Sequence, residues 1–222
     1  YEDFKQRSGA SDDIWLRRLT FDAAQAPAWR SLLSEEERAR YDAFPVPKRQ
    51  REFLLGRVAL RTLLADRLDR PASDIALHVT DAGAIELSEA PYFVSIAHSG
   101  NQAVAAVSPH RVGVDLEPVR PVEPGVIDFV LRPDEQGLLD ALPMGRDRAF
   151  ILCWTLKEAT LKALHTGFLR SPKKVRLEIA PDRQRATATA WDESVWTVCY
   201  VWEEAFWLSV AYPARAGRPT QA

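Results

Sequence analysis

Cysteine is almost missing from this chain: two in 222 residues, Cys153 and Cys199. Each lies in an apolar stretch, with none of the paired spacing of a disulfide framework or a zinc knuckle, which fits a reducing cytoplasm. Long apolar runs are missing too, none approaching the roughly 20 residues that cross a bilayer. The polar opening YEDFKQRSGASDD lacks the shape of a signal peptide. A first residue of Tyr rather than Met leaves processing upstream open. No excess of either charge exists, since 29 Lys and Arg stand against 31 Asp and Glu. That balance argues against general affinity for nucleic acid or an anionic membrane, so any polyanion site must be local. What is present is ordinary for a soluble globular chain, 46% hydrophobic and 27% charged, long enough for one sizeable core or two small lobes.

Patterning divides the chain into elements. IWLRRLT, Ile14 to Thr20, alternates like a strand, and Ser34 with Glu37 reads as a helix N-cap with its capping-box partner. Phe53 to Leu68 spaces its apolar residues at three and four, the mark of an amphipathic helix. Strands are expected at Ile75–Val79, Tyr92–Ile96, Val104–Val107 and Val112–Leu116. The prolines of EPVRPVEPG then predict an exposed loop. Beyond it the periodicity predicts helices over Gln136–Leu142 and Phe150–His165, strands over Val175–Ile179, Val195–Trp202 and Phe206–Ala211, and a mobile tail past Pro213. The order of elements suggests a doubled architecture, although no residue-by-residue repeat is visible.

Three patches combine residues with chemical potential. In Val112-Gly-Val-Asp-Leu-Glu117, strand alternation puts Asp115 and Glu117 on one face and sends Val114 and Leu116 into the core. Paired carboxylates suit a hard cation such as Mg²⁺, but D-x-E at a strand end also occurs as a plain solvated edge. On the helix after it, Trp154, Glu158, Lys162 and His165 share a stripe, with Lys157 about 100° away. Glu158 and Lys162 offer a base and a cation for leaving phosphate oxygens; at this spacing they equally make an ordinary helix ion pair. Ser95-Ile-Ala-His98-Ser99-Gly100 offers hydroxyls, an imidazole and turn N–H groups that together can grip phosphate, or simply a loop histidine. No G-x-S-x-G elbow is present to suggest a serine hydrolase.

In their order, S-x-x-H-S-G, V-G-V-D-L-E and W-T-L-K-E-A-x-x-K-A resemble the 4′-phosphopantetheinyl transferases of the long, pseudo-dimeric class. Gly113–Glu117 and Trp154–Lys162 match that family's two later motifs at every defining position. Val130–Glu135 resembles its short acidic segment, and Arg51–Arg61 is similar to its arginine-bearing helix. The resemblance implies an α+β fold of two similar lobes related by a pseudo-two-fold, each a small, mostly antiparallel sheet packed with helices. It further implies an N-terminal lobe, 1–110, and a C-terminal lobe, 111–222, with the active site in the cleft between them.

By the same resemblance, the protein moves the 4′-phosphopantetheine arm of coenzyme A onto a serine of an apo acyl, peptidyl or aryl carrier protein and releases 3′,5′-ADP. Asp115, Glu117 and Glu158 would hold Mg²⁺, or Mn²⁺, and Glu158 would act as base. Lys162 would stabilise the leaving phosphate, with Lys157 in support. His98 and Ser99, with Arg40, Arg51 or Arg57, would grip the nucleotide. A monomer in the cytoplasm, with no nucleic acid or membrane partner, is expected. Two departures from the family pattern stand out: Ala97 replaces the serine before the histidine, and Gly83-Ala84-Ile85 replaces a G-[KR]-P turn.

Overall fold

A computed structural model describes residues 2–81, 83–88, 90–165 and 170–214. After a short helix α1 (Glu2–Ser8), the first lobe runs β1 (Trp15–Thr20), α2 (Ala26–Ser31), α3 (Glu35–Asp42), α4 (Pro47–Leu68), β2 (Leu77–Val79), β3 (Ile85–Leu87), β4 (Phe93–Ser99) and β5 (Gln102–Ser108). The second runs β6 (Gly113–Pro118), α5 (Pro124–Val130), α6 (Leu138–Ala141), α7 (Arg146–Ala163), β7 (Arg176–Ala180), β8 (Arg185–Thr189), β9 (Val195–Glu203) and β10 (Phe206–Pro213). The plan is the same twice: an opening strand, three helices of which the last is longest, then two hairpins. In both lobes the opening strand pairs antiparallel with the closing one, β1 with β5 and β6 with β10. The lobes differ in their first hairpin. β7 and β8 extend the second sheet, ordered β6-β10-β9-β8-β7, whereas β2 and β3 stand as a separate pair beside the sheet β1-β5-β4. This is the two-lobed α+β fold expected.

Boundaries differ from those expected where proline opens a helix. α4 starts at Pro47, six residues before the expected Phe53, because proline at the first helical position gives up an N–H that has no partner there anyway. Pro124 opens α5 in the same way, inside a stretch expected to be loop. The helix expected over Gln136–Leu142 is a 3₁₀ turn, Pro133–Glu135, followed by the single turn of α6. Short α1, α2, β3 and β8 carry too few periods to be seen in the sequence. Of the tail expected to be mobile, residues 215–222 lie outside the described residues. Among the described residues, no helix is long and apolar enough to cross a membrane.

The long helices cover the sheets, α4 on β1, β4 and β5, α7 on β6 and β10. Between the lobes a third layer forms. Ala97, Val104 and Ala106 meet Val112, Val114, Leu116, Val201, Leu208 and Val210, with Phe4 of α1 inserted among them. Each fully buried Val, Leu or Phe of this layer contributes about 1.5–3 kcal/mol, so the seam is a core in its own right. The Val114 N–H donates to Ser95 Oγ at 3.1 Å, tying β6 to β4. Gly113 sets how close β6 lies to α7, since a Cβ there would stand 1.9 Å from the Ala159 carbonyl oxygen.

Candidate active site

β6 alternates as its sequence demands: Val114 and Leu116 fill the seam, while Asp115 and Glu117 face a cleft of about 500 Å³ between the lobes. α7 brings Trp154, Glu158 and Lys162, one turn apart, to the same wall. Asp115 is 5% exposed. One of its oxygens accepts from Lys162 Nζ at 2.7 Å, and the other, Oδ2, is buried with no hydrogen-bond partner. Glu117 accepts from Arg120 at 2.8 Å. Glu158 takes no hydrogen bond or ion pair among the described residues, and burial, reinforced by Asp115 and Glu117, pushes its pKa up to about 7. Burial and Asp115 push Glu117 upward as well.

Three carboxylates on one wall of the cleft, one of them with a buried oxygen that has no partner, form a donor set suited to a hard divalent cation. Among the described residues no three Asp, Glu, His or Cys side chains form a ready-made ligating cluster, and Lys162 holds one oxygen of Asp115. The acids fit a metal chemically, and the ammonium is the group that would have to share Asp115 with it.

The opposite wall belongs to the first lobe. α4 supplies Arg49, Glu52, Phe53 and Arg57, and β4 supplies His98 at its end. His98 Nδ1 lies 4.0 Å from the buried Glu52 carboxylate. Burial lowers the imidazole's pKa, with Glu52 opposing the shift. Arg57 lies against the Phe53 ring, 5.3 Å from its centroid, with Nε 3.4 Å from Glu37 and Nη1 buried without a partner. Burial lowers its pKa despite Glu37.

Four of the expected nucleotide contacts are placed differently. Lys157 is 0% exposed and lies outside the cleft; its ammonium is spent on Glu135 at 2.5 Å and on the carbonyls of Val175 at 2.8 Å and Pro172 at 3.3 Å. It is a structural ion, because one helical step from Glu158 turns it away from the wall Glu158 lines. Arg51 packs on Phe21, away from the cleft, one step round α4 from Glu52. Arg40 lies over the Phe53 ring at 5.7 Å and does not line the cleft. Ser99 closes β4 opposite Gln102 and does not line the cleft. His165 lies past the end of α7, with Nδ1 3.7 Å from Glu86. Arg49, Glu52 and Phe53 were not foreseen; their spacing along α4 with Gly56 and Arg57 is the signal that would have found them.

Residues 111–211 match the profile of the 4′-phosphopantetheinyl transferase superfamily, and residues 36–108 that of the 4′-phosphopantetheinyl transferase N-terminal domain. The chain is 30% identical over 221 residues to the 4′-phosphopantetheinyl transferase HetI of Nostoc sp., covering 89% of this chain and 92% of that one. It is 35% identical over 163 residues to a Synechocystis sp. protein bearing the same family name, covering 69% of this chain and 65% of the relative's length. The holo-acyl-carrier-protein synthase of Thermotoga maritima aligns at 21% identity and a TM-score of 0.39, over 46% of this chain and 61% of that one. The chain belongs to the 4′-phosphopantetheinyl transferases.

Proposed function

We propose that the protein transfers the 4′-phosphopantetheine arm of coenzyme A to a serine of an apo carrier protein, in the cleft between an N-terminal lobe, 1–110, and a C-terminal lobe, 111–222. The observation that carries this reading is the meeting of Asp115, Glu117, Glu158 and Lys162 on one wall of a single cleft with His98 and Arg57 on the other. The serine Oγ forms a bond to the phosphorus that bears pantetheine, and the bond from that phosphorus to the bridging oxygen breaks, releasing 3′,5′-ADP.

Glu158, which lines the cleft, would take the hydroxyl proton, and a carboxyl near neutrality suits that task. Lys162 offsets the charge that grows on the departing phosphate. Asp115, Glu117 and Glu158 would hold Mg²⁺ or Mn²⁺, which when bound supplies charge neutralisation at the transferring phosphoryl group. On the first lobe, Arg57 and Arg49 form the cationic side that would hold the nucleotide phosphates, with His98 beside them as a hydrogen-bonding group and Arg40 on the Phe53 ring. The loop Pro118–Gly125 and α5, whose Phe129 is 61% exposed, border the acidic strand and would receive the carrier. A monomer is consistent with both walls belonging to one chain, and a cytoplasmic location with two free cysteines.

Mass spectrometry of a panel of apo acyl, peptidyl and aryl carriers, incubated with coenzyme A and Mg²⁺, tests this. At least one carrier gains the mass of one phosphopantetheine arm, and the gain disappears with Glu158→Ala. Unchanged carriers throughout would sink the reading.

A further inference from the structure

Two buried ion clusters lie outside the cleft, one per lobe, and they are wired alike. In the first lobe Glu37, in the opening turn of α3, accepts with Oε2 from the backbone N–H of Ser34 at 3.2 Å and from Arg61 Nε of α4 at 2.5 Å. In the second, Glu135, closing the 3₁₀ turn Pro133–Glu135, accepts with Oε2 from the backbone N–H of Arg132 at 3.0 Å and from Lys157 of α7 at 2.5 Å. Each cation also donates to the segment after its helix. Arg61 Nη1 reaches the carbonyls of Ala72 at 2.6 Å and Ile75 at 3.0 Å. Lys157 reaches those of Pro172 and Val175. Ala72 and Pro172 each begin a 3₁₀ turn, Ala72–Asp74 and Pro172–Lys174, and Ile75 and Val175 each follow it directly.

We infer that Glu37–Arg61 and Glu135–Lys157 are one positioning device built twice, each pair fixing the roll of its lobe's long helix and thereby aiming the side chains on one wall of the cleft. The wiring matches at the helix N-cap, the carboxylate, the cation, the start of the 3₁₀ turn and the residue after it. Such agreement is not expected of two unrelated ion pairs. Both cations are shut from water, at 1% and 0% exposure, so neither binds a ligand directly.

Lys157 adjoins Glu158, and its anchoring on the far side of α7 holds Glu158 toward the cleft. In the first lobe the coupling is more direct, since Glu37 shares its other oxygen with Arg57 at 3.4 Å. A helical side chain ends about 5–6 Å from the axis, so a roll of roughly 20° carries it about 2 Å. Displacement of a reacting group by about 1 Å can cost around 100-fold in rate.

The two locks therefore differ in what they govern, a distinction that rests on the function proposed above. The second lobe's lock aims Glu158 and Lys162, hence turnover. The first aims Arg57 and Arg49, hence the grip on coenzyme A. A guanidinium fork and a point ammonium cannot meet the same three acceptors alike, so exchanging the cations disturbs each lock while leaving it charged.

The test compares Lys157→Arg and Arg61→Lys with wild type, using saturating carrier, varied coenzyme A and rates normalised to the folded fraction from circular dichroism. Lys157→Arg is expected to lower kcat about 10-fold or more with the KM for coenzyme A within about twofold. Arg61→Lys is expected to raise that KM about fivefold or more with kcat nearly unchanged. Glu135→Gln and Glu37→Gln, which keep side-chain shape, reproduce the same split and stand in for a cation variant that fails to fold. Wild-type kcat and KM in the variants of both lobes after that normalisation would mean that the pairs only stabilise the fold. Crystal structures of the variants give a reading independent of activity: α7 or α4 is rolled about its axis with the sheets in place. Unmoved helices would overturn the inference even if wild type transferred nothing, an outcome that by itself would count against the proposed reaction alone.

Discussion

A glutamate ordinarily titrates near 4.5, and Glu158 is held near 7 by burial and by two neighbouring acids. A raised acid favours the protonated folded state. Its contribution to stability is whole below the unfolded value and is lost as pH rises through about 7. In the metal-free protein, with a chelator present, Glu158→Gln should therefore melt at a higher temperature than wild type at pH 8, and the advantage should shrink to nothing toward pH 4.5. Thermal melts across that range check it, and a difference independent of pH would mean that the carboxylate is not under repulsion. Strand alternation and helical spacing, which are local rules, put Asp115 with Glu117 and Glu158 with Lys162 on shared faces, whereas the meeting of the two faces was implied by the family resemblance. The place of Lys157 was not legible in the sequence, because burial and a partner 22 residues away along the chain decide it.

One wall of the cleft depends on two elements that run unusually close. Gly113 lets the backbone of β6 touch that of α7, where a methyl group would meet the Ala159 oxygen at 1.9 Å and the Ala163 nitrogen at 2.4 Å. Neither obstacle is a flexible side-chain end, so Gly113→Ala must push strand and helix apart. That costs about 3 kcal/mol, the upper part of the usual range for overpacking, or roughly 6–12 °C of Tm for a chain of this length. It also separates Asp115 from Glu158, so transferase activity should fall beyond what the lost folded fraction explains. Gly125, with nothing within 4 Å of its would-be Cβ, is the control, and its alanine variant should melt no lower than wild type. Long elements such as α4, α7, β9 and β10 were readable from periodicity, whereas α5 and the start of α4 were hidden by prolines that open helices here. The duplication of elements was visible only as an order, because the matched contacts lie between segments that share no sequence pattern.

At the scale of the whole chain, the seam decides whether two lobes behave as one body. Strands of both sheets contribute to it, and α1 fills it from the N-terminal end, where Phe4 is fully buried although its helix precedes the first lobe in sequence and packs on β9 of the second. Arg7 donates to the Trp202 carbonyl, and Arg18 of β1 pairs with Glu203 at 3.0 Å, so the first segment of the chain is bound across both units. Neither lobe can unfold without baring the other's apolar face, which predicts a single cooperative transition with calorimetric and van't Hoff enthalpies in agreement. Phe4→Ala leaves a cavity in the shared layer and should cost about 3–5 kcal/mol. The signature is in how that loss appears: the entire transition moves to lower temperature, and near- and far-ultraviolet dichroism still coincide. A second transition splitting off in calorimetry, with one sheet melting ahead of the other, would show that the lobes carry separate cores and that the cleft is a junction between independent parts.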